Sequence, residues 1–252
     1  MNMLRKYTSS VLLLILIIGT WEAYARTGLT SQTVLPAPSL VLSALVKFRF
    51  ELFEHSLFTI SEVIIGYIIA VVLAVLTSIM LFFSSSIRRA VYPLLIIAHI
   101  IPIIALAPLL LVWFGFGIWP KIIVVVLYCF FPITATLTDG LTTTPQHLID
   151  YAKSLKTSRL HMFRYINFPS ALPQFFSGLK IAAIYCVTGA VVGEFVGAYK
   201  GLGIFIQTSA SSRATALVFA IITVVILLTL ALVGVIKLVE NRTLFWARQQ
   251  ND

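Results

Sequence analysis

Long apolar runs separated by short polar stretches fill nearly the whole chain. A helix needs roughly 20 apolar residues to cross the hydrocarbon core of a bilayer, and six runs are near that length or longer: about Ser9–Ala25, Leu57–Phe83, Val91–Phe114, Ile118–Leu141, Leu172–Phe195 and Ala214–Leu238. Each is expected to be a helix, because an isolated span in lipid must satisfy its backbone hydrogen bonds internally. Pro102 and Pro108 lie well inside the third run and Pro132 inside the fourth, which predicts kinked spans and makes Pro102 and Pro108 candidates for lining a pathway. Gly189, Gly193 and Gly197 repeat at four-residue spacing in and just after the fifth run. Such a stripe lets another helix approach closely, and the spacing leaves open whether that helix belongs to this chain or to another subunit.

One polar stretch stands apart. Between the fourth and fifth runs, about residues 142–169, lie Lys153, Lys156, Arg159 and Arg164, so the segment must sit outside the bilayer. It is patterned as well as polar. Thr144-Pro145 is a helix start, with threonine as cap and proline in the first turn. Leu148, Tyr151, Ala152 and Leu155 then fall at helical spacing on one face, with Gln146, Asp150, Lys153 and Ser154 on the other. Thr157-Ser158 offers a second cap for a short helix presenting Leu160 and Phe163, which Pro169 is expected to end. Two capped amphipathic helices in succession point to a protein-binding surface.

Composition fits this picture. Hydrophobic residues make up 60% and charged residues 11% of the chain, with a mean hydropathy of +1.02. A soluble domain carries about a quarter charged residues, so one integral membrane domain over 1–252 is expected. The net charge of +9 does not point to nucleic acid, because the basic residues are spread over short loops. With the N-terminus inside, 12 of the 18 lysines and arginines fall on the cytoplasmic side and 6 outside, which predicts cytoplasmic termini and places the polar segment in the cytoplasm. Arg5-Lys6, an apolar run and Ala23-Tyr-Ala25 also have the outline of a cleavable signal peptide; Trp21-Glu22 favours a retained first helix with an interfacial anchor.

Chemistry-bearing residues are few. Cys129 and Cys186 fall in apolar spans, as small apolar filler, and the four histidines lack metal-ligand spacing. No phosphate-cradling G-x-x-x-x-G-K-[ST] is present. Glu62 and His99 are the ionisable candidates well within spans, where such groups are costly and often functional. Asp139 and Glu194, nearer span ends, are expected at the interface. No filter or charged ring marks a channel. An ion-coupled secondary transporter is the competing class, but no inverted repeat is evident and intramembrane carboxylates are few.

The polar segment resembles the cytoplasmic loop of ABC-transporter permeases, with its E-A-A, three residues, glycine, nine residues, then I-x-L-P. Asp150-Tyr151-Ala152 stands at E-A-A, Lys156 at the glycine and Ile166-Asn-Phe-Pro169 at I-x-L-P, with spacing intact. Asp150, Tyr151, Lys156 and Phe168 depart from the consensus. Val34-Leu-Pro-Ala-Pro-Ser39, Ile101-Pro-Ile-Ile-Ala-Leu-Ala-Pro108 with Trp113-Phe-Gly-Phe-Gly117, and Ala190-Val-Val-Gly-Glu-Phe-Val-Gly-Ala198 with Gly201-Leu-Gly203 are similar to further family stretches. The likeness covers nearly the whole chain. Its subgroup looks like the importers of nitrate, sulfonate, taurine and thiamine precursors, and Trp119-Pro-Lys121, Phe130-Phe-Pro-Ile133, Asp139-Gly140 and Val192-Gly-Glu-Phe195 most resemble permeases for pyrimidine precursors of thiamine.

The resemblance implies an all-α, type I importer permease with about six transmembrane helices. It also implies a separate cytoplasmic ATPase that binds ATP and Mg, an extracytoplasmic binding protein that delivers a small solute, and a homodimer embedded in cell-membrane lipid. The chain itself would hold no cofactor or metal and catalyse no reaction. Contact with the ATPase would fall to Asp150, Tyr151, Ala152, Lys153, Leu155, Lys156 and Arg159. At Lys156 the family's glycine suits a left-handed bend, where lysine costs about 1–2 kcal/mol; a right-handed bend is one expected accommodation, a different partner groove the other.

Overall fold

A computed structural model describes residues 2–244, with side chains from Thr8 onward. Among the described residues the chain is helical throughout: α1 (Asn2–Arg26), α2 (Pro38–Lys47), α3 (Arg49–Phe83), α4 (Ser85–Ile100), α5 (Ile103–Phe114), α6 (Trp119–Thr142), α7 (Gln146–Ser154), α8 (Arg159–Met162), α9 (Phe168–Glu194), α10 (Leu202–Ser211) and α11 (Thr215–Thr243). Among the described residues five helices are long and apolar enough to cross a membrane, and six if the bent pair α4–α5 is one span. Two short helices, α2 and α10, lie outside both the six predicted runs and the polar segment.

The third run is not one kinked helix. α4 and α5 meet at 95°. Pro102 has no N–H to continue the ladder and pushes its predecessor out of the helical region; Ile101 accordingly has φ −63° and ψ 124°. Pro108 and Pro132 stay inside continuous helices. Pro169 does not end the second loop helix either. The chain runs on from α8 through a π-helical turn, Phe163–Asn167, directly into α9. The Phe168 N–H reaches back five residues to the Phe163 carbonyl, and this widened turn accommodates the ring and missing donor of Pro169.

The chain folds as two compact units. One combines residues up to Phe58 with Tyr199–Ile226. Here Glu22 of α1 caps α2 from a distance, accepting from the Ser39 N–H (3.0 Å) and hydroxyl (2.8 Å), with Pro38 in the first turn. Trp21 packs on Phe219 with ring centroids 5.6 Å apart. His55 accepts from the Gly201 N–H at 3.0 Å and stacks on Phe205.

The second unit comprises Thr59–Ala198 and the described residues from Leu227 to Leu244. Its centre is the α6–α9 pair, where Ile133, Leu137, Ala182, Ala183 and Cys186 are fully buried. Glycine permits the approach: a Cβ on Gly178 would overlap the Thr136 hydroxyl, and one on Gly66 of α3 would sit 2.5 Å from Val125 Cγ1. α3 is tied on by Tyr67, whose hydroxyl donates to the Leu179 carbonyl (2.7 Å), and by Ser78, which donates to the Thr134 carbonyl (3.2 Å). Lys180 of α9 pairs with Glu240 of α11 at 2.9 Å. An aromatic cluster of Phe82, Phe163 and Phe168 packs against Leu137 and Leu141, beside the polar segment.

Candidate functional site

The polar segment is a folded platform. Pro145 takes the capping position of α7 without a side-chain bond, so Thr144 is not the cap that its sequence position predicts. Its hydroxyl instead accepts from Asn167 Nδ2 at 3.0 Å, pinning the start of the segment to its end. Ser158 does cap α8, accepting from the His161 N–H. The apolar face of α7 divides in two. Ala152 is buried against the bundle, while Tyr151, Leu155 and, on α8, Leu160 stand 63–66% exposed. On the neighbouring face Asp150 accepts from Gln146 (3.0 Å) and lies 3.7 Å from Lys153; Arg159 is exposed.

Lys156 is left-handed, with φ +53°, so of the two accommodations open to a lysine here the right-handed bend does not occur. It sits just past α7, where its own N–H reaches the Lys153 carbonyl (2.9 Å) and the next N–H, of Thr157, reaches the Ala152 carbonyl (3.1 Å). These paired bonds form a Schellman motif, which requires a left-handed residue at this place. Lysine therefore occupies the conformation for which glycine is suited, and its cation lies near the negative end of the helix dipole.

The pathway candidates are scattered over the second unit. His99, in the last turn of α4, stacks on Phe131 of α6 with centroids 4.4 Å apart. Pro102 opens α5 and Pro108 lies inside it. Glu62 is 2% exposed. Its Oε1 accepts from Lys121 Nζ at 3.0 Å, in an ion pair whose side chains are 3% and 11% exposed. Glu194 is likewise fully buried, against its expected interfacial place, and accepts from the Thr59 hydroxyl at 2.6 Å. The Glu62 and Glu194 carboxyl groups interact with each other. Four residues from α3, α6 and α9 thus form one polar core that residue order did not reveal. The available signal was the helical spacing of Thr59 and Glu62, one turn apart on α3.

The glycine stripe faces inward. A Cβ on Gly189 would meet the Tyr128 ring at 2.8 Å, and one on Gly193 would lie 3.2 Å from Lys121 Cα, both on α6. Gly197 has φ +77° and would press on Leu111 and Phe116. The close approach permitted by the stripe is made to elements of the same chain, so the stripe carries no argument for a dimer. No group of three or more potential metal ligands occurs among the described residues.

Comparison with known proteins places this architecture. Residues 62–245 match the family described as binding-protein-dependent transport system inner membrane component. The chain is 36% identical over 240 residues to the formylaminopyrimidine transport permease protein ThiX of Halalkalibacterium halodurans, covering 95% of this chain and 96% of that one. It is 26% identical to the taurine transport system permease protein TauC of Escherichia coli, covering 96% and 90%. Among solved structures, the MetNI methionine ABC transporter in inward-facing form aligns with a TM-score of 0.59 at 21% identity, over 74% of this chain and 91% of that one. An amino acid ABC transporter solved with histidines aligns at 0.66 and 15% identity, over 79% and 96%. With the family match spanning most of the chain and the helical fold shared, this protein belongs to the binding-protein-dependent inner membrane components, the multi-pass permease subunits of ABC importers.

Proposed function

We propose that this permease carries a small pyrimidine related to thiamine precursors across the cell membrane, powered by an ATPase that docks on α7 and α8. The observation that carries the docking assignment is the set of exposed large side chains Tyr151, Leu155 and Leu160, standing among polar and charged groups on one platform. Left bare, such residues gain nothing; seated in a groove of a partner they supply area, while Asp150, Lys153, Lys156 and Arg159 set register. The substrate class is supported by the likeness to the formylaminopyrimidine permease, which extends nearly end to end. A sulfonate- or nitrate-type anion is the second reading, supported by the likeness to the taurine permease.

In this mechanism two copies of the chain form the pathway, each with its platform in one ATPase. ATP-driven approach of the ATPases moves the platforms together and switches the cavity between outward and inward access. A binding protein on the far side delivers the solute, and both termini lie in the cytoplasm, consistent with the bias of basic residues. ATP and Mg belong to the ATPase, and lipid surrounds the apolar belt.

The test is ATP turnover by the permease–ATPase complex in nanodiscs, with the binding protein and a panel of pyrimidines, sulfonates and nitrate. Stimulation by pyrimidine-loaded binding protein alone is the expected result. Stimulation by a sulfonate or nitrate would replace the substrate class, and turnover indifferent to every liganded partner would overturn the transport scheme.

A further inference from the structure

At the end of α6 that leads into the polar segment, an open cavity of about 460 Å³ lies between α4 and α6. Arg88, Arg89 and Tyr92 of α4 line it on one side, and Thr138, Asp139 and Thr142 of α6 on the other. Among the described residues neither guanidinium belongs to an ion pair. The one carboxylate present, Asp139, accepts from the Tyr92 hydroxyl at 3.3 Å, so two cations face a single anion already engaged by a neutral donor.

Thr138 supplies an independent observation. It is 1% exposed, and its hydroxyl has no hydrogen-bond partner. A helical threonine ordinarily donates to the carbonyl four residues back, as Thr142 does to Thr138 at 3.0 Å. For Thr138 that carbonyl belongs to Thr134, which accepts instead from Ser78. A buried hydroxyl without a partner is destabilising, and this one lines the cavity that the arginines also line.

We propose that this cavity binds a phosphate group, supplied by the headgroup of an anionic lipid. Two guanidinium groups offer the forked donors that match a tetrahedral oxyanion, and the unpartnered Thr138 hydroxyl is the one neutral donor left to join them, since the Tyr92 proton is committed to Asp139. The lipid source follows from what adjoins the site. Beyond the arginines, α4 continues into exposed Leu94, Ile96, Ile97 and Ile100, an apolar strip along which acyl chains can lie while the headgroup stays at the polar end of the bundle. The cavity borders the segment leading to the ATPase platform, so occupancy would stiffen the junction of α4, α6 and α7.

Native mass spectrometry of the permease–ATPase complex, released from nanodiscs of phosphatidylcholine with or without phosphatidic acid, tests this. Wild type should retain phosphatidic acid selectively, the Arg88→Ala/Arg89→Ala variant should lose the selectivity, and Thr138→Val should weaken retention about tenfold, the worth of one hydrogen bond to a charged group. Thr138→Val is nearly isosteric and removes an unsatisfied group, so it should fold at least as well as wild type and keeps the test sound if the arginine variant does not assemble. In a second arm, inorganic phosphate is titrated into complexes in phosphatidylcholine alone. Saturable, Thr138-dependent binding there would support the site and make its ligand a soluble phosphate. Equal lipid retention by wild type and Thr138→Val, with no phosphate binding, would overturn the proposal.

Discussion

Two polar regions of this molecule solve opposite problems. The α7–α8 platform keeps charges in water and leaves Tyr151, Leu155 and Leu160 uncovered. The Thr59–Glu62–Lys121–Glu194 core takes charges out of water and leaves little of any of them exposed. Energies follow from surroundings. The Asp150–Lys153 pair, with side chains 62% exposed on both partners, sits in high dielectric and contributes little. The Glu62–Lys121 pair at 3.0 Å has lost its solvation, so each partner depends on the other. Charges on the platform are therefore free to be read by another protein, whereas those in the core are committed to holding three helices together.

The largest effect should come from breaking the core. Lys121→Met leaves the Glu62 carboxylate buried beside Glu194 with no counter-charge, a situation that costs about 3–5 kcal/mol. The expected outcome is a sharp fall in folded, monodisperse permease, read by fluorescence-detected size exclusion and thermal melting in detergent. Adding Glu62→Gln to Lys121→Met should recover part of the loss, because it removes one of the two carboxyl groups, Glu62 and Glu194, left buried without the lysine. A Lys121→Met protein as stable as wild type would show that the pair does not hold the helices.

A second change strikes the platform and should leave the melting temperature alone. Leu155→Asp places a charge where the partner groove is proposed to take an apolar side chain. Interface anchors of this kind are worth about 2 kcal/mol or more, so association with the ATPase should weaken about thirtyfold, with transport lost and basal ATPase retained. Asp150→Arg should act in the same direction through register, and by less, because it is a rim charge. Uptake at wild-type rates in both variants would remove α7 from the coupling path.

The same contrast explains what could be read before the fold was known. Apolar runs announce spans because lipid leaves a helix no alternative, and the platform was visible because a patterned amphipathic segment is conspicuous among them. Local chemistry at a proline was harder. Pro102 breaks its span by 95°, whereas Pro132 leaves α6 continuous, so the presence of a proline does not by itself distinguish a broken span from a continuous one. Pro169 likewise looked like a stop and proved compatible with a π turn. The polar core was hidden for a different reason. Glu194 lies near a span end, and only the approach of α3, α6 and α9 decides whether such a residue meets water or Thr59. The cavity beside Arg88 and Arg89 was equally silent, since loop arginines are expected as orientation signals.

Lys156 gives the smallest expected effect and the finest discrimination. Among the described non-glycine residues only it and Arg213 have positive φ, and both close Schellman motifs: Ala214 N–H to the Ser209 carbonyl (2.9 Å) and Arg213 N–H to Ala210 (3.0 Å) repeat the pattern at the end of α10. A basic residue at each place trades backbone strain for a favourable charge near the helix end. Lys156→Gly removes strain of about 1–2 kcal/mol, but gives back up to about 1 kcal/mol in glycine flexibility and a few tenths in the lost dipole interaction. Stability should thus rise by no more than about 1 kcal/mol, read as a slight increase in melting temperature. Transport should persist, since the bend is kept. Lys156→Asn separates the two roles of the side chain, because asparagine tolerates the left-handed region without a charge. If the Lys156→Gly and Lys156→Asn proteins both melt as expected yet hydrolyse ATP without transport, the ammonium group itself is read by the ATPase; if both transport normally, lysine stands there for the helix end alone.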